Sequence, residues 1–158
     1  MNLSAYGKGA GTRGHPDDGL SLRVFVDSNI LISALLAATS SAAGQVFTRV
    51  LTDHHLVLRD YGLAEVTQVM RRKFPASMPK WESCLTVLDC EIVPTPVDLT
   101  MVAGPDIRDA KDRPILVSAL LAQPDALVSG DRDFHTSDIA EYLTVYTPMQ
   151  FLDRFGNM

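Results

Sequence analysis

The chain has 158 residues, 46% of them hydrophobic and 21% charged, which is typical of one globular domain and unlike a disordered or fibrous chain. No apolar run approaches the roughly 20 residues that span a bilayer, and Cys84 and Cys90 fit neither a disulfide framework nor a zinc motif, so we expect no membrane partner and a reduced, cytoplasmic protein. The net charge of −5 argues mildly against a general nucleic-acid binder, but the 19 acids and 14 basic residues nearly balance if a few acids hold a metal.

The first twenty residues contain five of the ten glycines and few apolar side chains. Such a segment cannot bury enough surface to order itself, so we expect a flexible tail at 1–20 and a domain at 21–158. The string Gly7-Lys8-Gly9 resembles part of a phosphate-binding loop. However, no strand precedes it and no Ser or Thr follows the lysine, which argues against a nucleotide site.

From Leu22 onward, short apolar runs alternate with longer helical patterns. The predicted strands are 22–26, 56–58, 91–93, 126–128 and 143–146. The predicted helices are 29–38, 42–53, 60–73, 79–89, 113–122 and 148–154. Alternating strands and helices favour βαβ units, and therefore an α/β domain with a central parallel sheet covered on both faces.

Two of the predicted strands are followed directly by carboxylates. The first ends in Asp27 and the fourth is followed by Asp131 and Asp133. Ligands of open α/β sheets bind beyond the carboxyl ends of the strands, so these acids should share one edge. Asp112 precedes another helix, with Pro114 in its first turn, and we expect it to be the N-cap there.

Acids gathered at one edge repel each other, and a hard cation such as Mg²⁺ or Mn²⁺ relieves that repulsion through oxygen ligands. Each acid also has a structural alternative. Asp27 and Asp112 are consistent with simple helix caps, and Asp131 with a turn around Gly130. Glu65 lies off the centre of its helix's apolar stripe, which is typical of a solvated surface glutamate.

Four segments of the chain resemble the motifs of PIN domains. The stretch 24–34 is similar to their opening strand, which ends in Asp, a small hydroxyl residue and Asn. Segments 61–74 and 109–119 resemble the helices that follow with the second and third acids. Segment 126–134 resembles the closing motif, in which Ser or Thr precedes two alternate acids. The four segments occur in the family's order, and the resemblance covers about residues 22–153.

The resemblance implies a three-layer α/β/α, Rossmann-like domain that cuts RNA with Mg²⁺ or Mn²⁺. Small members of the family that look like this chain are VapC-type toxins. The resemblance therefore also implies an antitoxin partner and a homodimer or higher oligomer. It assigns the acidic positions to Asp27, Glu65, Asp112 and Asp131. Further implied residues are the occasional metal ligand Asp133 and the polar supports Asn29 and Ser129. Asp109 is an extra acid that competes with Asp112 for its assignment.

The implied mechanism gives metal binding to Asp27, Asp112 and Asp131, with Glu65 orienting or deprotonating a water molecule. Arg113 and Arg132 are adjacent to these acids in sequence and are candidate contacts for RNA phosphates.

Other readings of the acids remain open. A haloacid-dehalogenase-type phosphatase needs an acid where Asn29 stands, and a receiver domain needs a lysine after the last catalytic strand. A PIN-like scaffold without activity would usually lack one of the four acids.

Overall fold

The computed structural model describes residues 21–100 and 102–156. The predicted tail at 1–20 lies outside the described residues, and the predicted domain at 21–158 is described except for 101, 157 and 158. Within the described ranges, no helix combines the length and the hydropathy needed to cross a bilayer.

In the part of the chain that the structure describes, five parallel strands form one sheet in the order β3-β2-β1-β4-β5. Their bounds are Arg23–Val26 (β1), His55–Arg59 (β2), Glu91–Val93 (β3), Ala126–Val128 (β4) and Val145–Tyr146 (β5). The chain moves outward from β1 to β3 and then returns to the other side of β1 with β4. The strand order therefore reverses between β1 and β4, which is where open α/β sheets bind their ligands.

Among the described residues, seven α-helices connect or follow the strands. Their bounds are Ser28–Leu36 (α1), Ala42–Asp53 (α2), Asp60–Lys73 (α3), Met78–Val87 (α4), Arg113–Ala122 (α5), Ser137–Ala140 (α6) and Pro148–Phe155 (α7). Short 3-10 turns occupy Pro75–Ser77, Ala110–Asp112 and Arg132–Phe134. Six helices agree with the sequence prediction to within two residues at each end. Helix α6 was not predicted, and β5 is two residues shorter than expected.

Apolar side chains alternate between the two faces of the sheet, as parallel strands buried on both sides require. One face packs against α1, α2, α3, α4 and α7 through a core that includes Val66, Trp81 and Phe151. The other face packs against α5 and α6 through a smaller core with Leu116 and Ile139. These two cores confirm the predicted three-layer α/β/α architecture.

The register of the sheet brings three polar residues level with one another. Phe25 pairs with Val57, so Asp27 stands opposite Arg59 two residues later. Val26 pairs with Val128, so Asp27 also stands opposite Ser129. Phe25, Val57 and Leu127 all point into the smaller core. Since side chains repeat every two residues, Asp27, Arg59 and Ser129 belong to that same face, beside α5.

Candidate functional site

Asp27 lies between the end of β1 and the start of α1, and each of its two carboxylate oxygens accepts a different hydrogen bond. Oδ1 accepts a hydrogen bond from the backbone N–H of Asn29 at 3.3 Å, which caps the helix. Oδ2 accepts a hydrogen bond from the Ser129 hydroxyl at 2.9 Å. The residue is only 4% exposed. Asp27 is therefore a helix cap, as the structural alternative held, and is also tied to β4.

Ser129 joins Asp27 to Asp131, and these three residues form what we call the inner network. The Ser129 hydroxyl is completely buried and also accepts a hydrogen bond from the Asp131 N–H at 3.1 Å. Nε2 of His135 lies 2.8 Å from the Ser129 carbonyl oxygen and secures the same turn. Asp131 Oδ1 accepts from the Asp133 N–H at 2.9 Å. Asp131 thus has the turn role expected of it, within a network that fixes its position.

Asp112 occupies the N-cap position of α5, as predicted, but its side chain makes no capping hydrogen bond. Its backbone is already helical, at φ −88° and ψ −7°, because the 3-10 turn Ala110–Asp112 runs directly into the helix. Asp109 caps that turn instead, with Oδ1 accepting from the Lys111 N–H at 3.0 Å. The Asp112 carboxyl group is left to hydrogen-bond with Asp131.

Crowding of like charges shows in the pKa values of the site. Burial raises the pKa of Asp112 to about 6, helped by its hydrogen bond to Asp131 and by the charges of Asp131, Asp109 and Asp27. Burial also raises the pKa of Asp27. The Asn29 and Ser129 hydrogen bonds and the Arg59 charge act against that rise, and Asp131 adds to it. The site therefore holds more negative charge than its own hydrogen bonds compensate.

A second group of acids lies beside the inner network, and we call it the outer cluster: Asp109, Asp112 and Asp133. Each offers one carboxylate oxygen, and these oxygens lie within 4.8 Å of one another. Asp133 is already engaged, because the Arg108 guanidinium donates to both of its oxygens at 2.8 and 3.0 Å. Asp112 belongs to this cluster and also contacts the inner network through Asp131.

Oxygen donors from these acids suit a hard divalent cation in their chemistry. Asp27, Asp131 and Asp112 come from two strand ends and a helix start, and they meet at the reversal point of the sheet. Burial and the neighbouring negative charges together raise the pKa of Asp112, and a divalent cation would neutralise those charges. The residues present therefore fit Mg²⁺ or Mn²⁺.

Glu65 reaches the site through a cation that sequence reasoning missed. Its side chain is 48% exposed, as the helix pattern indicated, and it pairs with Arg59 at the end of β2. Arg59 is buried and affects the pKa of Asp27. The sequence signal for Arg59 is that this charged residue directly follows the apolar run Leu56–Leu58, as Asp27 follows β1.

The remaining candidates differ in how closely they approach the acids. Asn29 contributes its backbone N–H to Asp27, and its side chain is exposed, so the contact does not depend on an asparagine side chain. Arg113 donates to Asp106 at 3.1 Å. Arg132 is exposed on the 3-10 turn that follows Asp131. Arg108, beside Asp133, is a further exposed cation at this edge.

Comparisons with known proteins agree with this architecture. The family model described as PIN domain matches residues 23–133, which is more than half of the chain and includes all four predicted acids. A search of curated proteins finds no match. The solved structure of VapBC2 from Rickettsia felis, bound to a DNA fragment from its promoter, contains a chain that shares the fold. That chain aligns with a TM-score of 0.55 at 14% identity, over 78% of this chain and 97% of its own length. The segment that matches the family model contains the point where the strand order reverses and the acids around it. This chain therefore belongs to the PIN-domain family.

Proposed function

We propose that this protein is a divalent-metal-dependent ribonuclease that hydrolyses phosphodiester bonds of RNA. The observation that carries the proposal is the meeting of Asp27, Asp112 and Asp131 at the reversal point of the sheet, with the pKa of Asp112 raised to about 6. Membership of the PIN-domain family and the motifs shared with its VapC-type nucleases support RNA as the substrate.

We assign the binding of Mg²⁺ or Mn²⁺ to Asp27, Asp112 and Asp131, with Asp133 as an additional ligand only if it leaves Arg108. When bound, such an ion supplies a Lewis acid for the phosphate and lowers the pKa of a coordinated water. Ser129 holds the Asp27 carboxylate in one orientation through its hydroxyl. Glu65, held by Arg59, orients the attacking water or accepts its proton.

Two cations at the same edge, the exposed Arg132 and the partly buried Arg113, are our candidates for contacts with RNA. Arg132 follows Asp131 directly, and Arg113 begins α5 next to Asp112. Both lie where a bound phosphate would need positive charge, although Arg113 must give up or share its pairing with Asp106. Because the chain as a whole carries a net charge of −5, we expect RNA to be recognised locally at this edge and not by general binding.

We further propose that the protein is the toxin of a toxin–antitoxin pair, paired with an antitoxin and forming a homodimer or higher oligomer in the cytoplasm. The fold shared with a chain of VapBC2, a complex solved on promoter DNA, supports a protein partner. The free thiols of Cys84 and Cys90 are consistent with a reducing compartment. Co-purification with the product of a neighbouring reading frame would support the pairing, and recovery of the chain without that product would contradict it.

The activity is tested with a fluorescent single-stranded RNA and, in parallel, a generic phosphomonoester. We expect RNA fragments that require Mn²⁺ or Mg²⁺ and disappear with EDTA, and no release of phosphate from the monoester. Asp27→Asn should abolish cleavage and retain the fold, since asparagine also caps helices well. Asp153→Asn, an exposed acid on α7, is the matched control.

Each of the other outcomes selects a different function. Metal-dependent release of phosphate from the monoester, without RNA fragments, would favour a phosphatase. Absence of both activities, together with no calorimetric binding of Mn²⁺, would favour a non-catalytic scaffold. RNA cleavage that persists in Asp27→Asn would contradict the assignment of this residue.

A further inference from the structure

Arg59 is a buried cation at the acidic edge of the sheet. It ends β2, is 9% exposed, and stands level with Asp27 in the register of β1 and β2. A guanidinium group removed from water is costly unless its N–H groups find partners and opposite charge. The contacts that Arg59 makes therefore indicate its role at this edge of the sheet.

Two side chains from different elements hold the Arg59 guanidinium. Nη2 donates to Glu65 Oε1 on α3, and Nη1 donates to the Thr95 hydroxyl at 3.3 Å, just after β3. Thr95 is itself fixed, because its hydroxyl and its N–H both donate to Asp60 Oδ1, at 2.7 and 3.1 Å. One end of the guanidinium thus binds Thr95, in a loop that Asp60 holds in place, and the other end binds Glu65.

The aliphatic part of Arg59 is confined as well. A Cβ placed on Gly62 would lie 3.5 Å from Arg59 Cγ and 4.0 Å from Ser28 Cβ, so the arginine stem lies against the first turn of α3, near the start of α1. The stem therefore lies beside the helix that carries Glu65, close to Ser28, which follows Asp27 in the chain.

We propose that Arg59 is a positioning residue that holds Glu65 at the site and places a permanent positive charge beside Asp27. This inference rests on the proposed nuclease function. Without Arg59, a half-exposed glutamate on the first turns of α3 would lose the partner that fixes its rotamer. Arg59 also stands opposite Asp27 in the register of β1 and β2 and is buried there, so its charge lies at the neighbouring strand end.

The two roles of Arg59 have opposite consequences for metal binding and for turnover. A fixed positive charge near the ligands repels a divalent cation, so its removal should strengthen metal binding. The same removal releases Glu65, so the water that Glu65 orients is less well placed and turnover should fall. A residue needed only for folding would weaken binding and turnover together.

The first experiment compares Arg59→Gln, Arg59→Lys and the exposed control Arg154→Gln with the wild-type chain. In Arg59→Gln we expect calorimetry to show Mn²⁺ binding roughly twofold to fivefold tighter, the range of a partly exposed charge pair. We expect kcat on RNA to fall by roughly tenfold to a hundredfold, as when an orienting group is lost, with KM nearly unchanged. Arg59→Lys keeps the charge but not the planar fork, so Mn²⁺ affinity should stay at the wild-type value while kcat still falls.

A double-mutant cycle with Glu65→Gln tests whether Arg59 acts through Glu65. If it does, Arg59→Gln costs nothing further in kcat once Glu65 has been replaced. Weaker Mn²⁺ binding in Arg59→Gln, unchanged kcat, or full additivity in the cycle would each overturn the inference. A thermal melt in EDTA identifies a variant that does not fold, in which case Arg59→Lys and the Glu65→Gln background carry the test.

The inference and the proposed function fail in distinguishable ways. If the wild-type chain cleaves RNA and Arg59→Gln cleaves equally well, the positioning role is wrong and the nuclease function stands. If the wild-type chain releases no fragments with either metal, the nuclease function is wrong and the positioning role falls with it.

Discussion

The inner network and the outer cluster hold their acids in different ways. Asp27 and Ser129 are buried at the ends of neighbouring strands and are joined by one direct hydrogen bond. Asp109 instead caps a 3-10 turn that Asp112 ends, and both acids are only partly buried. Asp133 is held by the exposed Arg108. The sheet fixes the geometry of the first group, whereas the second is shaped by local turns.

Charge is also balanced differently in the two groups. The hydrogen bonds that Asp27 accepts lower its pKa and offset part of the effect of burial. The hydrogen bond between Asp112 and Asp131 has the opposite effect, because it favours a proton on Asp112. The rigid strand ends therefore supply position, and the helix start supplies unrelieved negative charge. A cation bound between them would satisfy both.

Asp131 joins the two groups, so its replacement should have the largest effect. Asp131→Asn keeps an oxygen for the Asp133 N–H but removes the charge that faces Asp112. Loss of an outer partner of a metal ligand already costs ~10–100-fold in activity, so we expect the loss of a ligand to cost more than about a hundredfold. RNA cleavage rates and thermal melts measure this, with Asp153→Asn as the control. Cleavage within a few-fold of the wild-type rate would show that the two groups work independently.

Ser129→Ala separates position from charge within the inner network and should have an intermediate effect. The substitution removes the hydrogen bond to Asp27 and leaves the Asp131 N–H without its acceptor. We expect cleavage to fall by roughly 10–100-fold and the free energy of unfolding by about 1–3 kcal/mol.

The matched control for that variant is Ser118→Ala. Ser118 lies on α5 and is also completely buried, and its hydroxyl donates to the Pro94 carbonyl oxygen at 3.3 Å. Its replacement should lower stability without a comparable loss of cleavage. Equal losses of cleavage in the two serine variants would mean that Ser129 acts only through stability.

Asp112 should produce the smallest change, a pH dependence of stability in EDTA. Its pKa in the folded chain is about 6, against 3.8 for the free group, so the fold favours the protonated form. The stability from this group is fully present below pH 3.8 and is lost as the pH rises through about 6.

The measurement for Asp112 is the melting temperature of the wild type minus that of Asp112→Asn, from pH 4 to pH 8. We expect this difference to fall by a few degrees (about 1 kcal/mol corresponds to 2–4 °C at this size) as the pH rises. At pH 7, Mn²⁺ should raise the melting temperature of the wild type and have much less effect on Asp112→Asn. A difference that stays constant with pH would contradict the crowding of charge at Asp112.

The secondary-structure elements and site residues that the sequence predicts are those that depend on interactions between residues close together in the chain. Apolar runs and helical periodicity locate most elements, because those signals are local. Helix α6, Ser137–Ala140, has only four residues and is too short for a periodic pattern. In β5, Leu143 is buried outside the strand, so its hydrophobicity suggested a longer strand than Val145–Tyr146.

The site residues divide in the same way. Asp27 and Asp131 follow from the rule that parallel strands deliver their ends to one edge. Asp112 was expected as a cap, and the 3-10 turn before it removes the need for one. Glu65 was named through the family resemblance alone, because its own helix pattern gives a surface residue. Arg59 was missed because its partners come from α3 and from the loop after β3, and no local pattern reveals such a pairing.

The central claim, that the two groups of acids together form one metal site, is tested most directly by titrating Mn²⁺ into the metal-free chain and into Asp27→Asn in a calorimeter at pH 7. We predict saturable binding to the wild type and its loss in Asp27→Asn, although Asp109, Asp112 and Asp133 are intact in that variant. Unchanged Mn²⁺ affinity in Asp27→Asn would contradict the claim and leave the outer cluster as an independent site.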